Sequence, residues 1–475
     1  MSAVLGTLMP GFAGHTLPAW LADRLRAGLG GVCLFGGNIR SRAQLVDLVA
    51  EIRAANPLAV VAIDEEGGDV TRLFYDVGSP YPGNAVLGRL DDLALTEHVG
   101  RTVGWQLRLA GIDLDLAPDA DVNSNPLNPV IGTRSFGADP HLVARHTAAW
   151  VQGLQSTGVA ASVKHFPGHG DTELDSHLAM PVVRGDLDAL RGRELVPFVA
   201  AVAAGARTIM TSHILLPDVD DSGPATFSSR ILQSLLRDEL GFDGVIVSDA
   251  LDMAGASGEL GIPAAAVRAL AAGCDLLCIG TDNSDAQLDD IVDAVERAIA
   301  DGELPAERVA DAAARVAALA AESARAAAAA PVPAGVTASD DPPVDVAVLR
   351  EAIEARPGVV VHERRQLIAL RNAANIAVGV APWGPAAAGA EVVELGEGEP
   401  LVLAPGVQPV LVGLGVHRYA WLRALIAQTR AGHPDTIVVD MGWPDDAREH
   451  ADVVTWGASR AMGAALLDWL ERSSS

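Results

Sequence analysis

Apolar positions in the first 280 residues fall into short runs, each followed by a stretch with apolar residues at helical spacing. The runs are VLGTLMPGF (4–12), GGVCLFGG (30–37), LAVVAIDEEGG (58–68), IDLDLAPDADV (112–122), VAASVKHFPG (159–168), ARTIMTSHI (206–214), FDGVIVSDA (242–250) and CDLLCIG (274–280). They are rich in β-branched residues and apolar without alternation, the pattern of strands buried on both faces of a parallel sheet. Amphipathic segments such as SRAQLVDLVAEIRAA and SSRILQSLLRDEL lie between them. Eight strand–helix units in a row predict an α/β fold closed as a (β/α)8 barrel of the TIM type rather than an open sheet.

Helical pattern continues through RVADAAARVAALAAESARAAAAA and stops at PVPAGVTASDDPP (331–343), whose Pro, Ala and Asp read as a linker. This divides the chain into a barrel domain (1–330), the linker, and a smaller α/β domain (344–475). The second domain has its own apolar runs, NIAVGVAPW, PVLVGLGV, DTIVVDMGWP and DVVTWGAS, separated by helices such as YAWLRALIAQTR and SRAMGAALLDWLER. That order predicts a small, open, parallel sheet. No repeat of solenoid length is present.

Composition narrows the function classes. With 475 residues the chain is too long for one ordinary core. Its net charge of −27, from 34 basic and 61 acidic residues, repels nucleic acid and anionic lipid. Cys33, Cys274 and Cys278 are too few for a disulfide scaffold and fit a reducing compartment. The N-terminus has no basic n-region or long apolar h-region, and no run of about 18 apolar residues spans a membrane. A cytoplasmic protein with no nucleic-acid or membrane partner is the expectation, and a monomer is expected alongside it.

Working residues in such a barrel sit at the carboxyl ends of the strands. Polar groups recur there: Asp64, Glu65 and Glu66; Asp119 and Asp121; Lys164 and His165; His213; Ser248 and Asp249. Any one of them alone reads as a helix cap. Five decorated strand ends read as a site. Asp249, in GVIVSDALDM, ends a short apolar strand, where a carboxylate faces the barrel mouth and can attack an electrophilic carbon; its alternative is an N-cap.

The stretch KHFPGHGDTELDSH (164–177) allows several readings. Pro167, Gly168 and Gly170 break any helix, so His165 and His169 are not a helical zinc pair, although His165, His169, Asp171 and His177 remain a candidate cage. A phosphate loop would place its Lys after the glycines, not before them. The third reading is a loop whose Asp175 and His177 form a proton-transferring pair, since a nearby carboxylate orients an imidazole and supports its charge. From the residues alone, the protein is a barrel enzyme with a carboxylate and histidines at its mouth.

That stretch also resembles the signature of glycoside hydrolase family 3, in its β-N-acetylglucosaminidase branch (the NagZ type). DEEGGDVTR (64–72), AGIDLDLAPDADV (110–122), NPVIGTRSFGADP (128–140), MTSHILLP (210–217) and SDALDM (248–253) resemble further blocks in family order. The tail resembles the second domain of longer members. The resemblance implies a retaining hydrolase acting through a covalent glycosyl-enzyme and needing no cofactor or metal. Asp249 is then the nucleophile, and His177, steered by Asp175, the acid/base. Asp64, Arg72, Arg134, Lys164 and His165 would hold the sugar, with Met210 and His213 nearby.

The implied substrates are small soluble saccharides ending in β-linked N-acetylglucosamine (GlcNAc), derived from muropeptides or chitin, in a recycling role. A histidine in place of the usual second carboxylate does not repel anions, so phosphate is an alternative acceptor to water. Rival readings are a β-glucosidase or xylosidase, which usually lacks the Asp-Ser-His loop, and a silent sugar-binding protein on the same scaffold. One block departs from the family pattern: Glu65 and Asp69 stand where Gln and Arg are common, leaving Asp69 as a carboxylate in need of partners near Asp64.

Overall fold

The computed structural model describes residues 3–172, 180–258, 260–372, 377–445 and 447–474. Eight short strands form the first unit: β1 (Leu8–Met9), β2 (Gly31–Leu34), β3 (Val60–Ile63), β4 (Leu114–Asp115), β5 (Ala160–Phe166), β6 (Thr208–Thr211), β7 (Val245–Val247) and β8 (Leu277–Cys278). Each falls inside one of the eight apolar runs. β2 to β7 pair in sequence order, all parallel. The ring closes through β8, where Val247 bridges Leu276 and β1 pairs with β8 (Leu8 with Leu277, Met9 with Cys278). The Cys33 N–H then donates to the Pro10 carbonyl at 3.0 Å, joining β2 to the segment after β1.

Alternation along the strands divides the side chains between two apolar regions. Met9, Cys33, Val60, Ala62, Leu114 and Val247 cluster together inside the barrel. Val61, Ile63, Val163, Ile209 and Ile246 belong instead to the larger core beneath the helices. Each such burial contributes roughly 1.5–3 kcal/mol, so a one-residue register slip would be costly on both faces. Asp92 and Asp139 cap the helices Leu93–Ala110 and Pro140–Gln155, accepting bonds from first-turn amides. These two helices cross closely because Gly153 has no side chain. A Cβ there would lie 2.1 Å from the Glu97 carbonyl.

The second unit is a six-stranded sheet: β9 (Glu354–Ala355), β10 (Arg365–Leu370), β11 (Val393–Leu395), β12 (Gln408–Gly413), β13 (Ile437–Asp440) and β14 (Val453–Val454). Its order is β11-β10-β12-β13-β14-β9, parallel except for β9. Helices Ala420–Gly432 and Arg460–Arg472 follow β12 and β14. Three of the four apolar runs contain strands. The described part of NIAVGVAPW, 377–383, holds no strand: it is turn and irregular chain, with Gly379 and Pro382 interrupting any ladder. The first of its parallel strands in chain order is instead the more polar RQLIAL of β10. The segment 331–343 has neither helix nor strand and lies against the barrel, where Gln106 Nε2 donates to the Thr337 carbonyl at 3.0 Å. Among the described residues no helix is long and apolar enough to cross a membrane.

Candidate active site

The carboxyl ends of the barrel strands surround a cavity of about 290 Å³. That is near the lower end of small-molecule sites, about 300–1,000 Å³, and suits one sugar ring. Asp64, Arg72, Arg134, Lys164, His165, Met210 and Asp249 all line it. These are seven of the ten residues expected at the site. Asp175 and His177 lie outside the described residues. His213 stands behind the wall, fully buried: one ring nitrogen is 3.0 Å from the Ala250 carbonyl and the other 2.9 Å from the Thr226 hydroxyl. It therefore supports the peptide next to Asp249 rather than reaching the cavity.

A buried ion network forms one side of the cavity. Lys164 Nζ lies 2.7 Å from both Asp64 Oδ1 and Glu66 Oε1. Arg134 donates to Glu66 through Nε (2.9 Å) and Nη2 (2.8 Å), a fork-to-carboxylate pair. Burial opposes the charge on Glu66, but Arg134 and Lys164 outweigh it and hold the carboxylate well below its usual range. Lys164 and Arg134 stay protonated for the reciprocal reason, since burial works against them and their carboxylate partners prevail. Two cations and two carboxylates are thus fixed before a ligand arrives, which lowers the ordering cost of binding polar hydroxyls.

His165 follows Lys164 in β5, where a register break between Val163 and Phe166 interrupts the regular ladder, and both residues line the cavity. Its Nδ1 is 2.6 Å from Asp121 Oδ2 and its Nε2 is 3.4 Å from Arg134 Nη2. Arginine can only donate, so Nε2 accepts and the ring proton is on Nδ1, pointing at Asp121. Burial pushes the pKa of His165 down to about 4 and that of His169 likewise. Both rings are neutral at pH 7.

The metal reading concerns the same residues. Asp119, Asp121 and His165 converge closely enough to offer three donor atoms. Asp121 is already engaged, with Oδ2 on the His165 ring and Oδ1 accepting the His169 amide at 2.6 Å. Asp119 Oδ2 has the Arg134 guanidinium at 3.7 Å. A guanidinium thus stands beside the donor set, and burial followed by repulsion from Asp121 raises the Asp119 pKa to about 8, so this group favours its proton over a metal. Asp171 is drawn elsewhere, to Arg193 at 2.6 Å.

Asp249 follows β7 and receives the Ala250 N–H at 2.8 Å on Oδ1. Its charge is felt by both His165 and His169. Arg72 reaches the cavity from the loop after β3 while its guanidinium donates to Ala377 and Val378 carbonyls of the second unit, at 2.7 and 3.3 Å. Ala377 itself lines the cavity. Sequence reasoning did not assign Glu66, His169, Phe35, Asp252 or Ala377 to the sugar. For Glu66 a signal existed: it lies two residues past Asp64, on the same side of an extended chain.

The departing block is also resolved. Glu65 Oε2 accepts the Thr71 hydroxyl and the Arg72 and Leu73 amides, so it organises the loop that carries Arg72. Asp69 accepts the Thr133 hydroxyl and the Ala458 amide, both at 2.8 Å, and stays out of the Glu66 network.

The sequence profile of the glycosyl hydrolase family 3 N-terminal domain matches residues 13–319. A β-hexosaminidase from Stenotrophomonas maltophilia (strain K279a) is 41% identical over 280 residues, covering 57% of this chain and 82% of that protein. A family 3 β-N-acetylglucosaminidase structure from Paenibacillus sp. str. FPU-7 superimposes with a TM-score of 0.87 at 31% identity, covering 100% of this chain and 97% of the other. NagZ from Neisseria gonorrhoeae, solved with N-trifluoroacetyl-D-glucosamine, aligns at 34% identity and a TM-score of 0.54 over 66% of this chain and 98% of its own. Strand-end chemistry, barrel and relatives agree, and the chain belongs to glycosyl hydrolase family 3, in its β-N-acetylglucosaminidase branch.

Proposed function

We propose that the protein is an exo-acting, retaining β-N-acetylglucosaminidase that releases terminal β-linked GlcNAc from small saccharides of cell-wall or chitin origin. The carrying observation is one ring-sized cavity in which Asp249 faces the preformed Asp64–Lys164–Glu66–Arg134 network. The network grips the hydroxyls of the terminal sugar, and a cavity with room for one ring suits attack at a chain end. An Asp249 oxygen then forms a bond to the anomeric carbon as the glycosidic C–O bond breaks. The leaving oxygen takes its proton from His177, assigned on the Asp-Ser-His motif alone. Water, deprotonated by the same imidazole, releases the sugar with its original configuration.

Two inversions at the anomeric centre make the first-formed sugar β. Proton NMR of an aryl β-GlcNAc digest should therefore show β-GlcNAc before mutarotation. Initial appearance of the α anomer overturns the mechanism, and no cleavage of any β-GlcNAc substrate overturns the activity.

A further inference from the structure

Asp69 lies in the loop after β3, three residues beyond the carboxylate that clamps Arg134. Its Oδ2 accepts the Thr133 hydroxyl at 2.8 Å, and Thr133 immediately precedes Arg134 in the short turn Gly132–Arg134. Its Oδ1 accepts the Ala458 amide at 2.8 Å, and the Ser459 amide also acts on it. Those amides lead into the helix Arg460–Arg472, 13 residues long, whose N-terminal end favours an anion. Burial raises its pKa, outweighing the backbone amides and hydroxyl that favour its charge, and the nearby Glu66 carboxylate repels it.

We infer that Asp69 is a positioning residue through which the second domain sets the geometry of the sugar subsite, an inference that rests on the activity proposed above. One carboxylate ties together the loop bearing Asp64, Glu66 and Arg72, the turn bearing Arg134, and the start of the last helix. Two other links between the units reach the same two places. Arg72 donates to the Ala377 carbonyl, and Arg418 of the second unit donates to the Asn128 carbonyl, next to the Arg134 turn. The second domain thus holds both loops from outside, while Asp69 fixes them to each other. A shift of about 1 Å in a binding group can cost on the order of a hundredfold, so such a junction acts on binding without touching the sugar.

The test uses the full chain with an aryl β-GlcNAc substrate and free GlcNAc as a competing ligand. Asp69→Ala should raise KM and the GlcNAc inhibition constant together, roughly five- to fiftyfold, while kcat stays within about threefold. Thr133→Val should move the same two constants in the same direction. The double variant should be no worse than Asp69→Ala alone, because the two groups form one contact. Asp69→Asn, which keeps an oxygen for the amides, should restore most of the affinity. Unchanged KM and inhibition constant in a folded Asp69→Ala protein overturn the inference, as do strictly additive effects of the two variants. If Asp69→Ala does not fold, unaltered GlcNAc affinity in Thr133→Val overturns it equally. Failure of the unaltered enzyme to cleave the aryl glycoside would count against the activity instead, and GlcNAc affinity measured by calorimetry still tests Asp69.

Discussion

The Glu65 amide donates to Asp115 Oδ1 at 2.9 Å, and each of these two buried carboxyl groups has a second oxygen with no hydrogen-bond partner. Burial first, then their mutual repulsion in the case of Asp115, raises both pKa values, Glu65 to about 7. Arg72 and Lys164 act on these groups too weakly to offset burial, so keeping protons is the favoured state. A glutamine at position 65 would keep the acceptor for the Thr71 hydroxyl and the Arg72 and Leu73 amides, and would remove one ionisable group.

Glu65→Gln is therefore expected to stabilise the protein at neutral pH. The sign follows from linkage. A carboxyl raised from 4.5 to about 7 holds its proton in the folded state while the unfolded chain releases it. Stability is complete below the unfolded value and declines as pH rises towards 7. The substitution removes that decline, with a ceiling of about 3 kcal/mol. Thermal unfolding at pH 4 should be little altered, whereas at pH 7.5 Tm should rise by several degrees. A lower Tm at pH 7.5 would show that Glu65 is held as a charge after all.

Much of this arrangement is legible in the sequence, and the boundary between what is and is not legible is physical. Val60–Ile63 and Val245–Val247 announce themselves because a strand buried on both faces must be apolar throughout. Asp64 and Asp249 are found because a charge just after such a strand lies at the barrel rim, and Lys164 because it closes the apolar stretch within β5. Arg72 and Arg134 sit in loops with no periodicity, so only the family resemblance reaches them. Ala377 has no signal of its own, since it comes to the cavity through docking between units. His213 looked like a rim residue, but it turns inward to the Ala250 carbonyl. Local pattern gives the strand and its end; it does not give the direction of a side chain one turn later.

Asp249→Ala should abolish turnover while leaving fold and sugar affinity nearly intact. Removing a covalent nucleophile costs roughly three to five orders of magnitude in kcat. The network of Lys164, Glu66 and Arg134 that would hold the sugar does not depend on Asp249. GlcNAc affinity should thus stay within about threefold of the unaltered protein, with a similar Tm. Substantial residual activity, free of contaminating enzyme, would move the nucleophile to another carboxylate of the cavity such as Asp252.

Activity should survive exhaustive treatment with chelator. At the convergence of Asp119, Asp121 and His165, the Asp121 oxygens are engaged with the His165 ring and the His169 amide, and Asp119 Oδ2 has the Arg134 guanidinium 3.7 Å away. A metal would have to displace the His165 proton and share the site with a fixed cation, which is electrostatically unfavourable. Loss of activity in EDTA, restored by zinc and by no other addition, would revive the cage of histidines and carboxylates.

The most discriminating variant is His177→Ala. An imidazole that protonates the leaving oxygen matters most when that oxygen belongs to a poor leaving group such as another sugar. On activated aryl glycosides, whose phenolates depart unaided, the first step should be far less impaired. The second step still requires a base when water is the acceptor, so the glycosyl-enzyme on Asp249 should accumulate and appear as a burst of released phenol. Azide needs no deprotonation and, with no carboxylate at position 177 to repel it, should restore turnover as the glycosyl azide. Asp175→Ala should give a milder version with a displaced pH optimum, since only the orientation and charge of the ring are weakened. Equal impairment across all leaving groups, with no burst and no rescue by azide, would sink the assignment and leave Glu173 or Asp171 as the proton donor to examine.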